Sequence, residues 1–151
     1  MENPNIMPMT MTIPEVLRRI MREAKSKEDT VRLLRENSSH SLKQVLYYAF
    51  LDKGKWYRKD LPKYTPESAP DGLTHTNLFQ ESKRLYIFKE VYKLPSERKD
   101  QLLIQILESV HSSEAEVIKE LFDGTFGRAY SLDKKVVLEA FPDLNNTVLS
   151  S

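Results

Sequence analysis

The residues best suited to moving protons or holding a metal at neutral pH are His40, His75 and His111, and each stands alone in its segment. None has a histidine or carboxylate partner at metal-ligand spacing such as H-E-x-x-H, so structural or surface roles are expected for all of them. Ser38, Ser39, Ser112 and Ser113 lie where helices should begin, and no G-x-S-x-G surrounds them. Hydroxyls in such places cap exposed backbone donors rather than attack carbonyls. Gly124-Thr125-Phe126-Gly127-Arg128 reads as a short turn, but it lacks the spacing and the Lys-Ser/Thr ending of a phosphate loop. Glu114, Glu116, Glu120 and Asp123 form an acidic helical face, which usually means a solvated surface rather than a metal site. The chain has no cysteine, which excludes disulfides, thiolate metal sites and thiol catalysis and suits a reducing compartment. No cofactor and no catalytic residue is expected.

One local composition departs from the average. Between Leu42 and Tyr64 stand Lys43, Lys53, Lys55, Arg58, Lys59 and Lys63, against only Asp52 and Asp60. Tyr47, Tyr48, Trp56, Tyr57 and Tyr64 are interleaved with them. Basic side chains neutralise phosphates and release counterions, and aromatic rings pack on sugars or bases, so the mixture suits nucleic-acid binding. The plainer alternative is a lysine-rich solvated loop whose aromatic rings face inward.

The elements that must position these residues follow from length and patterning. A chain of 151 residues, 40% hydrophobic and 30% charged, is sized and composed for one globular domain with one core. A net charge of +1 neither demands nor excludes a polyanionic partner, so any nucleic-acid site must be a local patch. The start, Met1 to Met11, has neither the basic nor the apolar region of an export signal, and nowhere do about eighteen apolar residues run together, so no membrane partner is expected.

Thr12 and Glu15 form a capping box, after which Val16, Leu17, Ile20, Met21 and Ala24 share one helical face while Arg18, Arg19 and Arg22 point elsewhere. Ser26 with Asp29 opens a second helix to about Glu36, broken at Asn37-Ser38-Ser39, and Leu42, Val45, Leu46, Ala49 and Phe50 mark a third. From Gly54 to Gly72 the prolines Pro62, Pro66 and Pro70 forbid a long helix; a long ordered loop is expected, with a short strand at 55–58 and Trp56 against the core. Thr76 should cap a fourth helix through Leu78, Leu85, Tyr86, Phe88 and Val91, and Ser96 a fifth whose Leu102, Leu103, Ile106, Leu107 and Val110 centre the core. Ser113 with Glu116 should cap a sixth, stopped by Gly124, and a last helix should run from about Leu132 to Ala140. The expected fold is all-α, a single domain over 12–144 of about six or seven helices with one irregular loop, between a flexible segment at 1–11 and a tail at 145–151.

Read as a whole, the chain resembles an uncharacterised family of small proteins from tailed phages, T-even-like phages and those of cyanobacteria among them. The similar stretches are Leu33-Leu34-Arg35-Glu36-Asn37 with 42–50, 62–66, 81–88, 103–111 with Glu114-Ala115, and Glu139-Ala140-Phe141-Pro142. A second resemblance is to the helical N-terminal DNA-binding domain of T-even-type ATP-dependent DNA ligases. It covers 24–37, 42–57 and 115–144, the last ending in Ala140-Phe141-Pro142-Asp143-Leu144. Such domains grip duplex DNA by its backbone across the minor groove, without reading sequence.

That resemblance implies contacts from Asn37, Ser38 and Ser39, from Lys43 on the helix behind them, and from Arg128, Ser131, Lys134 and Lys135. Lys55, Arg58 and Lys59 of the basic segment complete the candidate set. Ser131 stands where those ligases tend to have glycine, after about two extra residues, which disturbs a close approach of backbone to phosphate. The nucleotidyltransferase domain is absent, and Ala69-Pro70-Asp71-Gly72 lacks the lysine of the adenylated Lys-x-Asp-Gly motif, so neither ligation nor adenylation is expected. The expectation is a non-enzymatic phage accessory protein that binds duplex DNA in the infected host's cytoplasm. The alternative is a protein-interaction module, an inhibitor or adaptor of a replication, transcription or defence enzyme.

Overall fold

The computed structural model describes residues 11–67 and 74–146. The flexible start expected at 1–11 lies outside them except for Met11, the motif at 69–72 lies outside entirely, and of the expected tail only Asn145 and Asn146 are included. Among the described residues the chain forms a single all-α domain of eight α-helices and no strand. They are α1 (Ile13–Glu23), α2 (Lys27–Glu36), α3 (His40–Phe50), α4 (Leu78–Glu81), α5 (Ser96–Ser109), α6 (Ser112–Asp123), α7 (Phe126–Tyr130) and α8 (Lys134–Ala140). A 3-10 segment, Ser82–Phe88, continues α4, and another, Pro142–Asn146, follows α8.

The first three helices start where hydroxyls can cap them. The Glu15 amide donates to Thr12 Oγ1 at 3.4 Å while the Thr12 amide donates to the Glu15 carboxylate at 2.8 Å. Ser26 caps α2 through the Asp29 amide at 3.1 Å, and Ser39 caps α3 through the Leu42 amide at 3.0 Å. Ile13, Leu17 and Ile20 then bury one face of α1, and Leu42, Val45 and Leu46 one face of α3. Leu103, Leu107 and Val110 are fully buried, so the α5 stripe does centre the core, with Leu102 at its half-buried edge.

The later helices begin differently from the sequence expectation. Asn77, not Thr76, caps α4, receiving the Gln80 amide at 3.0 Å, while the Thr76 hydroxyl donates to Glu81 at 2.8 Å. After Glu81 the chain tightens to a 3-10 helix, because burying Ser82, Leu85 and Phe88 together requires a three-residue repeat. Val91 therefore lies outside the helix and is exposed. Pro95, not Ser96, occupies the cap position of α5, in extended backbone geometry and with no side-chain cap bond, and Ser96 is the first residue of the helix. His111, not Ser113, caps α6: the Ser113 amide donates to His111 Nδ1 at 3.1 Å, and the His111 amide to Glu114 at 3.3 Å. Glu114 consequently leaves the acidic face and is buried, its other oxygen accepting the Leu78 amide at 2.8 Å.

The expected turn at 124–128 winds into α7 after Gly124, whose φ of 77° ends α6. A Cβ on Gly127 would lie 2.8 Å from the Leu132 carbonyl and 3.1 Å from the Phe50 ring, so α7 and the start of the α7–α8 turn close on α3 only through glycine. Asp133 caps α8 through the Val136 amide at 2.9 Å, so that helix begins at Lys134 rather than Leu132.

Candidate functional site

The loop after α3 is built on its aromatic rings. Trp56 stacks on Phe122 of α6 and donates its indole N–H to the Leu121 carbonyl at 3.2 Å. Tyr48 is buried, and Tyr57 packs against Phe88 and Phe122 and donates its phenol to Asp100. Burial, and for Tyr57 the Asp100 carboxylate as well, pushes both phenols well above the ordinary tyrosine range. Tyr64 is half-buried and shifted upward by the same cause. Only an isolated bridge, Trp56 with Lys89, forms where a strand was expected. Tyr48, Trp56 and Tyr57 pack within the protein, as the inward-facing alternative expected, and do not stand free as a stacking platform for bases.

The lysines beneath and around the loop divide in the same way. Lys89 is buried, ion-paired with Asp52, bonded to the Gly54 carbonyl at 2.9 Å and set 3.9 Å from the Trp56 ring centroid. Lys99 donates to the Lys89 carbonyl at 2.7 Å, and loss of water around it lowers its pKa. Arg58 is held by Asp100 at 3.1 Å. Lys55 and Lys59 are exposed. A cleft of about 540 Å³ opens between the loop and α6, but Asp60, Glu116 and Asp123 line it together with Lys59, Lys63 and Lys119. It is not a positive channel.

The α2–α3 turn uses most of its polar groups internally. The Asn37 side chain folds back to donate to the Leu33 carbonyl at 2.8 Å, and the Ser38 amide donates to the Arg35 carbonyl at 3.3 Å. The Ser39 hydroxyl is the cap of α3. Lys43 lies 3.5 Å from the Asp143 carboxylate and 5.2 Å from the Phe141 ring centroid, so its charge is partly answered. Arg35, not singled out in the sequence, reaches the carbonyls of Glu139 at 2.6 Å and Ala140 at 3.1 Å. A guanidinium there complements the negative end of α8 and locks α2 along it.

The α7–α8 turn is different. Arg128, Lys134 and Lys135 are all exposed, and no ion pair engages them among the described residues. Between them Ser131 adopts φ 54° and ψ 45°, the only non-glycine left-handed residue described, and closes α7 by donating its amide to Gly127. Its hydroxyl meets Met21 Sδ at 3.5 Å, which sets the turn against α1. Ser131 thus holds a backbone conformation that glycine adopts more readily.

The candidate residues therefore form separate groups rather than one site. Lys43 sits beside Phe141 at the end of α8, whereas Phe50, at the other end of α3, sits beside Gly127. Seven residues of helix, about 10 Å, separate those ends. Asn37, Ser38, Ser39 and Lys43 thus lie at one end of α8, and Arg128, Ser131, Lys134 and Lys135 at the other. Arg58 and Lys59 lie elsewhere, over α5 and α6, and Lys55 lies beside Glu90, whose amide donates to its carbonyl. Sequence reasoning did not single out Arg18 and Arg22, whose one-turn spacing on the polar side of α1 was the available signal.

Among the described residues no group of three or more His, Asp or Glu side chains could hold a metal ion. No helix there is long and apolar enough to cross a membrane. No match was found among curated proteins. The chain belongs to the DUF6433 family, described as a family of unknown function, whose pattern matches residues 16–128. That span begins within α1, takes in α2 to α6 and the first part of α7, and stops short of Ser131, Lys134 and Lys135.

Proposed function

We propose that this member of the DUF6433 family is a non-enzymatic protein that holds duplex DNA by its phosphates without reading base sequence. The observation that carries this reading is the α7–α8 turn, where Arg128, Lys134 and Lys135 stand exposed and without ion pairs among the described residues, around the left-handed Ser131. Cations so placed neutralise phosphates, and such contacts position a protein without carrying sequence information. The resemblance to the ligase DNA-binding domain supports the same turn, and the resemblance to small tailed-phage proteins supports an accessory role inside an infected host cell. Lys43 and Arg58, already answered by Asp143 and Asp100, contribute less. Fluorescence anisotropy with two unrelated labelled duplexes of equal length tests the reading. Equal affinities at low salt are expected; absence of binding, or a tenfold preference for one sequence, contradicts it.

A second reading, a protein-interaction module, is favoured by one observation. Val91 is 81% exposed, next to Tyr92, whose partly exposed ring packs edge-on against Tyr86. A partner captured from nuclease-treated infected cells and lost with Val91→Asp would support it.

A further inference from the structure

We infer that α1 supplies the second half of the phosphate-binding surface, with Arg18 and Arg22 taking phosphates of the same duplex that the α7–α8 turn holds. The inference rests on the reading above and extends it to an element that neither resemblance assigns.

Contact between Ser131 Oγ and Met21 Sδ at 3.5 Å fixes which side of α1 faces the turn. Residues three and four apart share a helix side, so Arg18 stands with Met21, and Arg22 stands one turn beyond Arg18. The electrostatics agree with that placement. The Arg18 charge acts on Glu120 of α6 and on Tyr130 at the end of α7, lowering the pKa of each against the upward push of burial. Arg22 is exposed and has no ion pair among the described residues. Arg19 lies over the cleft toward α2, with Arg32 and Glu36, and its charge is answered by Glu23 at 2.9 Å. The Ser131–Met21 contact therefore brings the side of α1 that carries Arg18 and Arg22 to the turn that carries Arg128, Lys134 and Lys135, with Met21, 40% exposed, at the junction. A polyanion is the partner whose charge fits, and the phosphodiester backbone of a duplex supplies it at regular intervals.

The test is the salt dependence of binding to a labelled mixed-sequence duplex, compared for the wild type, Arg18→Ala/Arg22→Ala, Arg18→Lys/Arg22→Lys, Arg19→Ala and Lys134→Ala/Lys135→Ala. The substituted side chains are exposed, and unchanged melting curves would verify that the folds are intact. Removing both arginines is expected to flatten the log-log slope by about one to two, at roughly 0.9 per phosphate lost. The lysine pair should preserve the slope because it preserves the charges, and Arg19→Ala should preserve it because Glu23 already answers that charge. If Lys134→Ala/Lys135→Ala flattens the slope and Arg18→Ala/Arg22→Ala does not, the proposed function stands and this inference falls. An Arg19→Ala effect as large as that of the arginine pair would also overturn it, since only net charge would then matter. Failure of the wild type to bind at low salt would overturn both.

Discussion

The indole of Trp56 lies nearly flat on the ring of Phe122, with centroids 4.6 Å apart and planes 12° from parallel. Together with the bond to the Leu121 carbonyl and the Lys89 ammonium 3.9 Å from the ring centroid, this stack holds a loop that has no regular structure of its own. Trp56→Ala is expected to cost about 3–5 kcal/mol, the range for deleting a large packed aromatic. Trp56→Phe, which can keep a ring stack but not the N–H donor, should cost less, with about 1 kcal/mol of its loss due to the missing hydrogen bond. Chemical denaturation followed by circular dichroism measures both; an alanine variant as stable as the wild type would show that the stack does not anchor the loop.

Ser131 gives a prediction of opposite sign. A non-glycine residue in the left-handed region costs about 1–2 kcal/mol, and glycine returns part of that gain through its larger unfolded entropy. Ser131→Gly is therefore expected to stabilise the fold by roughly 0.5–1 kcal/mol, read as a higher denaturation midpoint. A lower midpoint would mean that the hydroxyl contact with Met21 outweighs the backbone strain.

Much of the fold was legible in the sequence because its signals are local. Thr12 with Glu15, Ser26 with Asp29, and Gly124 each act on backbone groups within a few residues, and the stripe of Leu103, Leu107 and Val110 follows from helical periodicity alone. What escaped depends on distant partners. Glu114 looks like one more surface carboxylate until Leu78, 36 residues earlier, brings its amide to it. The 3-10 course of Ser82–Phe88 is set by what α3 and the core require, including the buried bond from the Ser82 hydroxyl to Gln44 at 3.2 Å. The candidate site was legible in part. Arg128, Lys134 and Lys135 are exposed, and Trp56 meets the core as expected, but composition could not tell that Arg58 and Lys43 have carboxylate partners, since these depend on long-range packing.

Glu120 makes stability depend on pH in a definite direction. Burial pushes its carboxyl above the ordinary value of 4.5, and Glu116 and Asp123 add to that push, while Tyr130 and Arg18 oppose it. The folded state therefore binds the proton more tightly than the unfolded state, and the slope of stability against pH is negative between the two pKa values. Stability from this group is present below 4.5, falls as pH rises through the raised folded value, and then levels off. Glu120→Gln removes that fall. Its stability relative to wild type should rise across this window and stay higher at neutral pH; a difference that is flat with pH would contradict the assignment.

The central claim, phosphate binding at the α7–α8 turn, is tested most directly by the salt slope of duplex binding with and without Lys134 and Lys135. Wild type should bind weakly at low salt, with log affinity falling linearly against log salt. The double alanine variant should flatten that slope by about one to two, equally for unrelated duplexes. An unchanged slope in the variant, or no binding by the wild type at low salt, would contradict it.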